Sequence, residues 1–476
     1  MSDLVAPNRA APAPPRLRSV TGRWVVAAAI LGSAVVVLDA SVVNIAVPRI
    51  GSSLGDDVAD LQWVVGGYTL ALASLILVGG ALGDRLGRRT VFIWGSVGFA
   101  LASLLCSVAS SMEMLVAGRV VQGIAGALIT PGSLALISAT IDRRDHGVAI
   151  GVWAGLIGVI EAVGPIVGGW LTELAGWRSV FLINVPFAVA VAVVSVRYLP
   201  ESRDADARPL DLPGVATAVA GLGALTYGFI GGRGWISLLG VALLGLFAWI
   251  QMRGDHPLLP PALFTSRVFT AANLVTAAVY AGLGGVYFLL PLELQVVVGY
   301  SPLEAGLATV PITGIMLVSS ASAGRWAQRH GARIPMILGP ALAACGAVLL
   351  TGIGSRATYL SGVFPGTVML GVGLAVFVAP LTGAVFAAVS ATDSGIASGV
   401  NNAVARTAQL LAVAALPGLA GISGARLTDG TEFGSGFRIA LLICGALLLA
   451  GGVIAAMLMP RGVSTYVVTS EVGLLT

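Results

Sequence analysis

Three ionisable side chains sit deep inside long apolar runs: Asp39, Arg119 and Glu161. At a helical rise of about 1.5 Å per residue, Asp39 lies about 22 Å from the inner end of its run and Glu161 about 21 Å from the inner end of its own. Arg119 lies about 9 Å from the outer end of a run travelling the other way. In a hydrocarbon core of about 30 Å the three depths nearly coincide. Two carboxylates and one guanidinium leave one negative charge, and repulsion with desolvation favours a proton on one carboxyl group. Such a layer is a titratable site, the minimal equipment for proton coupling. The alternative for Asp39 and Arg119 is a fixed ion pair that only staples helices. For Glu161 the alternatives are packing against a polar residue or facing lipid or water.

Other chemistry is sparse. The 26 basic residues are all Arg, so no Walker A loop, which needs Gly-Lys, and no lysine Schiff base can form. Cys106, Cys345 and Cys444 lie in separate apolar runs, and His146, His256 and His330 are far apart. Neither set has metal-ligand or disulfide spacing, so no metal and no cofactor is expected. Further along the chain, Arg406 lies about 18 Å into its run, near Asn401, Asn402 and Gln409. It can pair across the molecule, bind an anionic group or bond to carbonyls. Glu293, near the outer end of its run, reads as a solvated vestibule carboxylate. Trp24, Trp63, Trp94, Trp153, Tyr68, Tyr280 and Tyr287 are candidates to line a cavity for a lipophilic solute or to form interfacial belts.

The elements that position these groups are membrane helices. Of 476 residues, 57% are hydrophobic and only 10% charged, against about 25% charged in soluble domains. About fourteen runs reach spanning length: 24–48, 62–82, 91–111, 113–140, 147–171, 179–199, 211–231, 235–252, 268–292, 302–323, 334–354, 358–389, 395–423 and 437–459. The pair at 211–252, split by Gly231-Gly232-Arg233-Gly234, reads as two spans or one re-entrant hairpin. With the N-terminus inside, 18 arginines fall in inner segments. Six, Arg49, Arg178, Arg233, Arg356, Arg426 and Arg438, fall in outer ones. This asymmetry puts both termini in the cytoplasm. The net charge of +4 therefore belongs to scattered loops and not to a nucleic-acid surface. The expected layout is a Pro-rich tail over 1–22, a six-helix bundle over 23–200 and an inserted pair over 201–260. A second bundle over 261–460 and a tail over 461–476 complete it.

The chain carries an internal repeat. Gly80-Ala81-Leu82-Gly83-Asp84-Arg85-Leu86-Gly87-Arg88-Arg89 after the second run recurs, degraded, as Gly324-Arg325 to Arg333, 244 residues later. Related halves of this kind are common in transporters, with the substrate near the midplane. The first copy resembles the loop signature of the major facilitator superfamily. Leu38-Asp39 to Pro48, Arg119-Val120-Val121-Gln122-Gly123, Gly164-Pro165-Ile166-Val167-Gly168-Gly169 and Trp177-Arg178 to Pro186 resemble motifs of its fourteen-span drug:proton antiporters. Antibiotic-resistance exporters of actinobacteria are the nearest likeness.

The resemblance implies an all-α fold of two six-helix bundles plus two inserted helices. It implies proton-coupled efflux of a lipophilic, in part cationic, drug or antibiotic across the bacterial inner membrane, by a monomer embedded in lipid. It assigns Asp84, with Gly80, Arg85, Gly87, Arg88 and Arg89, to a cytoplasmic gate; a purely topogenic loop is the alternative. It assigns Gly164, Pro165, Gly168 and Gly169 to a close, bent contact that seals the halves, or to plain packing. Asp39, Arg119 and Glu161 are the proton-coupling candidates. Asp39, Asn44, Gln122, Glu161, Tyr287 and Arg406 are the candidate substrate contacts. A facilitator-type importer or uniporter of a nutrient is the rival function, and an enzyme has no supporting cluster. The topology is testable. In a variant without its three cysteines, Arg233→Cys should react with an impermeant thiol reagent from outside intact cells, and reaction only after lysis would contradict two spans over 211–252.

Overall fold

The structure is a computed structural model that describes residues 15–55, 57–204, 209–354, 358–390, 394–422 and 430–460, side chains excepted at 394 and 430–432. Most of the expected N-terminal tail, all of 461–476, and Arg356 and Arg426 lie outside the described residues. The long helices are α1 (Val20–Leu54), α2 (Val58–Leu86), α3 (Arg88–Ser107), α4 (Met112–Thr140), α5 (His146–Ala175), α6 (Ser179–Tyr198) and α7 (Leu212–Ile230). They continue as α8 (Gly234–Arg253), α9 (Arg267–Val297), α10 (Pro302–His330), α11 (Arg333–Leu350), α12 (Tyr359–Ala387), α13 (Ser394–Leu419) and α14 (Gly430–Leu458). Among the described residues, thirteen helices are long and apolar enough to cross a membrane. The further one, α13, is diluted by Asn401, Asn402, Arg406 and Gln409, and it packs against α2, α7 and α9.

Local chemistry sets the helix ends. Ser19, Asp57, Ser111 and Ser266 each accept a backbone N–H in the first turn of the helix that follows. The region 211–252 forms two full helices, and at their turn Arg233 bonds to the Tyr227 hydroxyl. Three departures from the expected spans follow from proline, which supplies no N–H to the helix ladder. Helix α6 breaks at Ile183, ahead of Pro186. Helix α10 breaks at Thr309, ahead of Pro311, and runs on to His330. Helix α9 carries Pro291 and then widens into a π-turn at Glu293–Val297.

Hydrogen bonds between loops define two faces. At one, called the amino face here, Asp142 N donates to Pro15 O (3.1 Å), Arg88 N to Ser202 O (3.0 Å) and Arg333 Nη2 to Ala456 O (2.5 Å). There Arg16 Nε also donates to Asp145 (2.8 Å); that hydrogen bond holds the Asp145 carboxyl below the usual carboxylate range. At the opposite face Arg178 Nη2 donates to Ala109 O (2.8 Å).

The packing repeats itself as the sequence does. In the first half α4 packs on α2 and α3, α5 on α1, and α6 on α3 and α1. In the second half α12 packs on α10 and α11, α13 on α9, and α14 on α11 and α9. The halves meet where α2 touches α13 and where α5 touches α10, two contacts related by the same symmetry. Helix α7 leans on α2 and α13 and so covers one of these seams, while α8 packs on α7.

The halves are joined at the opposite face; toward the amino face α5 stands apart from α10, while α2 still meets α13 at Leu77 and Gly399. Gln62 Nε2 donates to Val413 O (2.6 Å), and Gln295 Nε2 to Ile45 O (2.9 Å). The Glu173 carboxylate accepts from Ser301 Oγ (2.9 Å) and Leu303 N (3.3 Å). Toward the amino face, α5 and α10 lose contact. A Cβ at Gly147, Gly151, Gly155, Gly158 or Gly314 would meet nothing within 4 Å. Gly151 and Gly155, four residues apart on one helical face, thus make no close helix contact: small residues permit approach but do not compel it.

Candidate functional site

The buried charges form a network on the first half. Arg119 is 1% exposed and Asp39 is 0% exposed. Arg119 Nη1 donates to Asp39 Oδ2 (2.5 Å) and to Gln122 Oε1 (2.8 Å), and its Nε to Val64 O (3.0 Å). The guanidinium lies 4.2 Å from the centroid of the Tyr68 ring, a cation–π contact in a buried site. Asp39 Oδ1 accepts from Gln122 Nε2 (2.9 Å) and from Asn184 Nδ2 (2.8 Å). Gln122 Nε2 reaches on to Ser103 Oγ (2.9 Å). Five helices, α1, α2, α3, α4 and α6, are thereby tied to one carboxylate–guanidinium pair.

This arrangement revises the first reading of Asp39 and Gln122. Neither faces a cavity in this state, because both are 0% exposed. Asn184 completes the cluster. It belongs to the Trp177–Pro186 segment, and its sequence signal was an amide in an apolar run just before Pro186. The break at Ile183 places it at the start of the longer piece of α6.

Glu161 shares the depth of Asp39 but not its surroundings. Leu38 and Ser41 on α1 lie against Gly164 on α5, which sets the two acids at one level. The depth estimate thus holds, whereas the grouping of three charges does not. Glu161 is exposed between the halves and has no hydrogen bond or ion pair among the described residues. It lies in electrostatic reach of Arg406 on α13, and of Tyr280 and Tyr287, seven residues apart on α9. Arg406 is half-buried and donates to Gln409 Oε1 (3.2 Å). On α1, the half-buried stripe Val37, Ala40, Ser41 and Asn44 shares one helical face.

The repeat makes sense of Glu161 and Arg406. A shift of 244 residues carries Glu161 to position 405, next to Arg406. Packing obeys the same shift within one position. A Cβ on Gly164 would touch Ser41, and one on Gly284 would touch Gln409. Opposite charges therefore occupy nearly equivalent places on the two halves.

The glycine motif of α5 divides its work. Gly164 and Gly168 face Ser41 and Val42 of α1, inside the first half, which corrects their assignment to the seam. Gly169 faces Pro302 and Leu303 of α10, and Gly306 of α10 faces the Pro165 carbonyl, so those two positions do meet the second half.

The loop between α2 and α3 is tied to the segment that follows α6. Arg88 Nη2 pairs with Asp84 Oδ1 at 2.8 Å. Arg89 Nη1 donates to Leu199 O (3.1 Å), and Glu201 accepts from Arg89 N, Thr90 N and Thr90 Oγ1. Partial burial pushes the Glu201 carboxyl up, but hydrogen bonds from Thr90, Ser202 and Arg89 outweigh it and hold it below the usual range. Gly87 has φ 113°, a conformation that favours glycine, and a Cβ there would collide with Glu201. Gly80 sits beside Pro131 of α4, and Arg85 is exposed. Besides Arg88, Asp84 touches the segment after α6: its carbonyl accepts from Asp204 N (2.9 Å).

Tyr68 and Glu293 stand elsewhere than expected, whereas Trp94 lies at the surface, as the belt alternative has it. Tyr68 is buried under Arg119, and Trp94 is 57% exposed on the outer surface of α3. Glu293 is no vestibule carboxylate: it is fully buried, and its two oxygens have no hydrogen-bond partner among the described residues.

Two helical halves with a charged cavity between them define a membrane transporter. The sequence pattern of the Major Facilitator Superfamily matches residues 29–413, and the chain belongs to that superfamily. A probable actinorhodin transporter of Streptomyces coelicolor is 35% identical over 89% of this chain and 77% of its own. A puromycin resistance protein of Streptomyces alboniger is 34% identical over 90% of this chain and 89% of its own. The crystal structure of a D-xylose–proton symporter shares the fold at a TM-score of 0.67 and 15% identity, covering 92% of this chain and 98% of that one.

Removing one member of a buried ion pair strands the other. Arg119→Ala should cost about 3–5 kcal/mol and lower the melting temperature of the detergent-solubilised protein. Adding Asp39→Asn should recover part of that loss; equal melting of the single and double variants would show that the pair is not coupled.

Proposed function

We propose that this protein exports lipophilic drugs or antibiotics across the bacterial cytoplasmic membrane in exchange for protons, with Glu161 as the group for which proton and drug compete. The arginine asymmetry of the loops supports a cytoplasmic amino face. On that orientation the cavity opens to the cytoplasm and the external side is shut. Relatives named for actinorhodin transport and puromycin resistance support small-molecule export. The observation that carries the reading is a carboxylate deep in the cavity, without a partner among the described residues and in electrostatic reach of Arg406.

Facing the cytoplasm, Glu161 releases its proton and the freed carboxylate holds a cationic or hydrogen-bond-donating drug against Tyr280 and Tyr287. Rocking of the halves opens the other side. There a proton from outside neutralises Glu161, the drug leaves, and the neutral acid crosses back. Exchange follows because one carboxylate does not hold both occupants. Asp39, Arg119, Gln122 and Asn184 act as the staple that keeps the first half rigid. The Asp84 loop holds the cytoplasmic side closed in the opposite state and is released in this one.

Proteoliposomes under an imposed pH gradient test the reading. The wild type should accumulate lipophilic cations with counter-movement of protons. Glu161→Gln should lose gradient-driven accumulation yet keep drug exchange at equal pH. Accumulation by Glu161→Gln as strong as wild type would move the coupling role to Asp39. Wild-type transport indifferent to the gradient would favour the uniporter.

A further inference from the structure

Glu293 stands where α9 widens from α- to π-helix, a distortion that often marks functional positions. It is 0% exposed, and among the described residues neither carboxylate oxygen has a hydrogen-bond partner. A carboxylate anion buried without donors is far costlier than the neutral acid. The site is therefore built for a carboxyl group that carries its proton. It is remote from the cavity charges and takes no part in the exchange described above.

Its neighbours connect it to the shut face. Two residues on, in the same π-turn, Gln295 donates to Ile45 O across the halves (2.9 Å). On α14, which packs against this turn, a Cβ on Gly434 would lie 3.6 Å from Glu293 Oε1. One helical turn further along α14, Arg438 is exposed, and its charge reaches Glu293 without a hydrogen bond. The side chain of Glu432, also on α14, lies outside the described residues. From the start of α10, Glu304 is engaged with Ser301 N (2.8 Å), and Tyr300 is tied by its own N–H to Leu294 O (2.8 Å). No described cation is bonded to Glu293 in this state, and one stands at the rim, where opening brings in water.

We propose that Glu293 is a second proton-binding site, filled while the opposite face is shut and emptied when that face opens and Arg438 with solvent can receive the charge. The proton enters and leaves on the same side, so the site biases the conformational equilibrium and adds no proton to the transport stoichiometry. Acid on that side favours the shut state. The proposal rests on the orientation given above only in calling that side external.

Infrared spectroscopy of the purified protein tests occupancy. In the Glu161→Gln background, which removes the exchanging carboxyl, a protonated-carboxyl band should be present and should be absent once Glu293→Gln is added. Paired spin labels at Ser52 and Leu307 test the bias. In wild type the shut fraction should rise as pH falls, whereas Glu293→Gln and Glu293→Leu should stay shut across the range. Both variants present a neutral side chain, which the site accepts, so each should melt no lower than wild type; if Gln fails to fold, Leu carries the test. A band that survives Glu293→Gln in that background, or a pH response of the shut fraction unchanged in both variants, overturns the proposal. Loss of transport in Glu161→Gln leaves these readouts untouched, so the two assignments fail separately.

Discussion

Everything in the first half is arranged around one buried ion pair. Asp39 and Arg119 are charges that a membrane interior penalises heavily, and they are retained because five helices each supply something to them. The backbone carbonyl of Val64, the amides of Gln122 and Asn184, the Ser103 hydroxyl and the Tyr68 ring all converge on the pair. Such an arrangement contributes little net stability over a well-packed apolar core, but it is costly to break. Its consequence is geometric. The five helices have one satisfactory way to fit together, and the half moves as a body.

A rigid half needs somewhere to hinge and something to respond to. The seams supply the first. At the opposite face the two halves touch through Gln62, Gln295, Glu173 and the Gly169–Pro302 contact. At the amino face α5 and α10 stand apart. Glu161 supplies the second, since the staple leaves it outside and the repeat sets Arg406 in nearly the equivalent place on the other half. A two-fold scaffold that carries opposite charges at equivalent positions is symmetric in shape and polarised in charge. Such a cavity attracts and orients a solute, and its electrostatics change when a proton settles on one side.

Much of this was legible in the sequence. Composition alone required a polytopic membrane protein, and the apolar runs matched the observed helices to within a few residues, including the two of the 211–252 region. Depth arithmetic placed Asp39 and Glu161 at one level, which the Leu38 and Ser41 contacts with Gly164 reproduce. Facing was not legible. Depth counts residues along an axis, but whether a side chain points into its own bundle or across to the other depends on helix rotation, which is set by partners distant in sequence. For that reason depth alone groups Asp39 with Glu161, leaves out Asn184, and assigns Gly164 and Gly168 to the seam. Glu293 was misplaced for a similar cause. Its run ends near the boundary, and only the packing of α14 over the π-turn takes it out of water.

The central claim is that Glu161, and not the stapled Asp39, is the carboxyl group exchanged between proton and drug. Proton release on drug binding tests it most directly, with purified protein in weakly buffered detergent solution and no gradient or membrane to confound the reading. Adding a transported lipophilic cation to the protein at a pH where the site holds its proton should acidify the solution. Release should vanish in Glu161→Gln and persist in Asp39→Asn. Release that persists in Glu161→Gln and vanishes in Asp39→Asn would contradict the account.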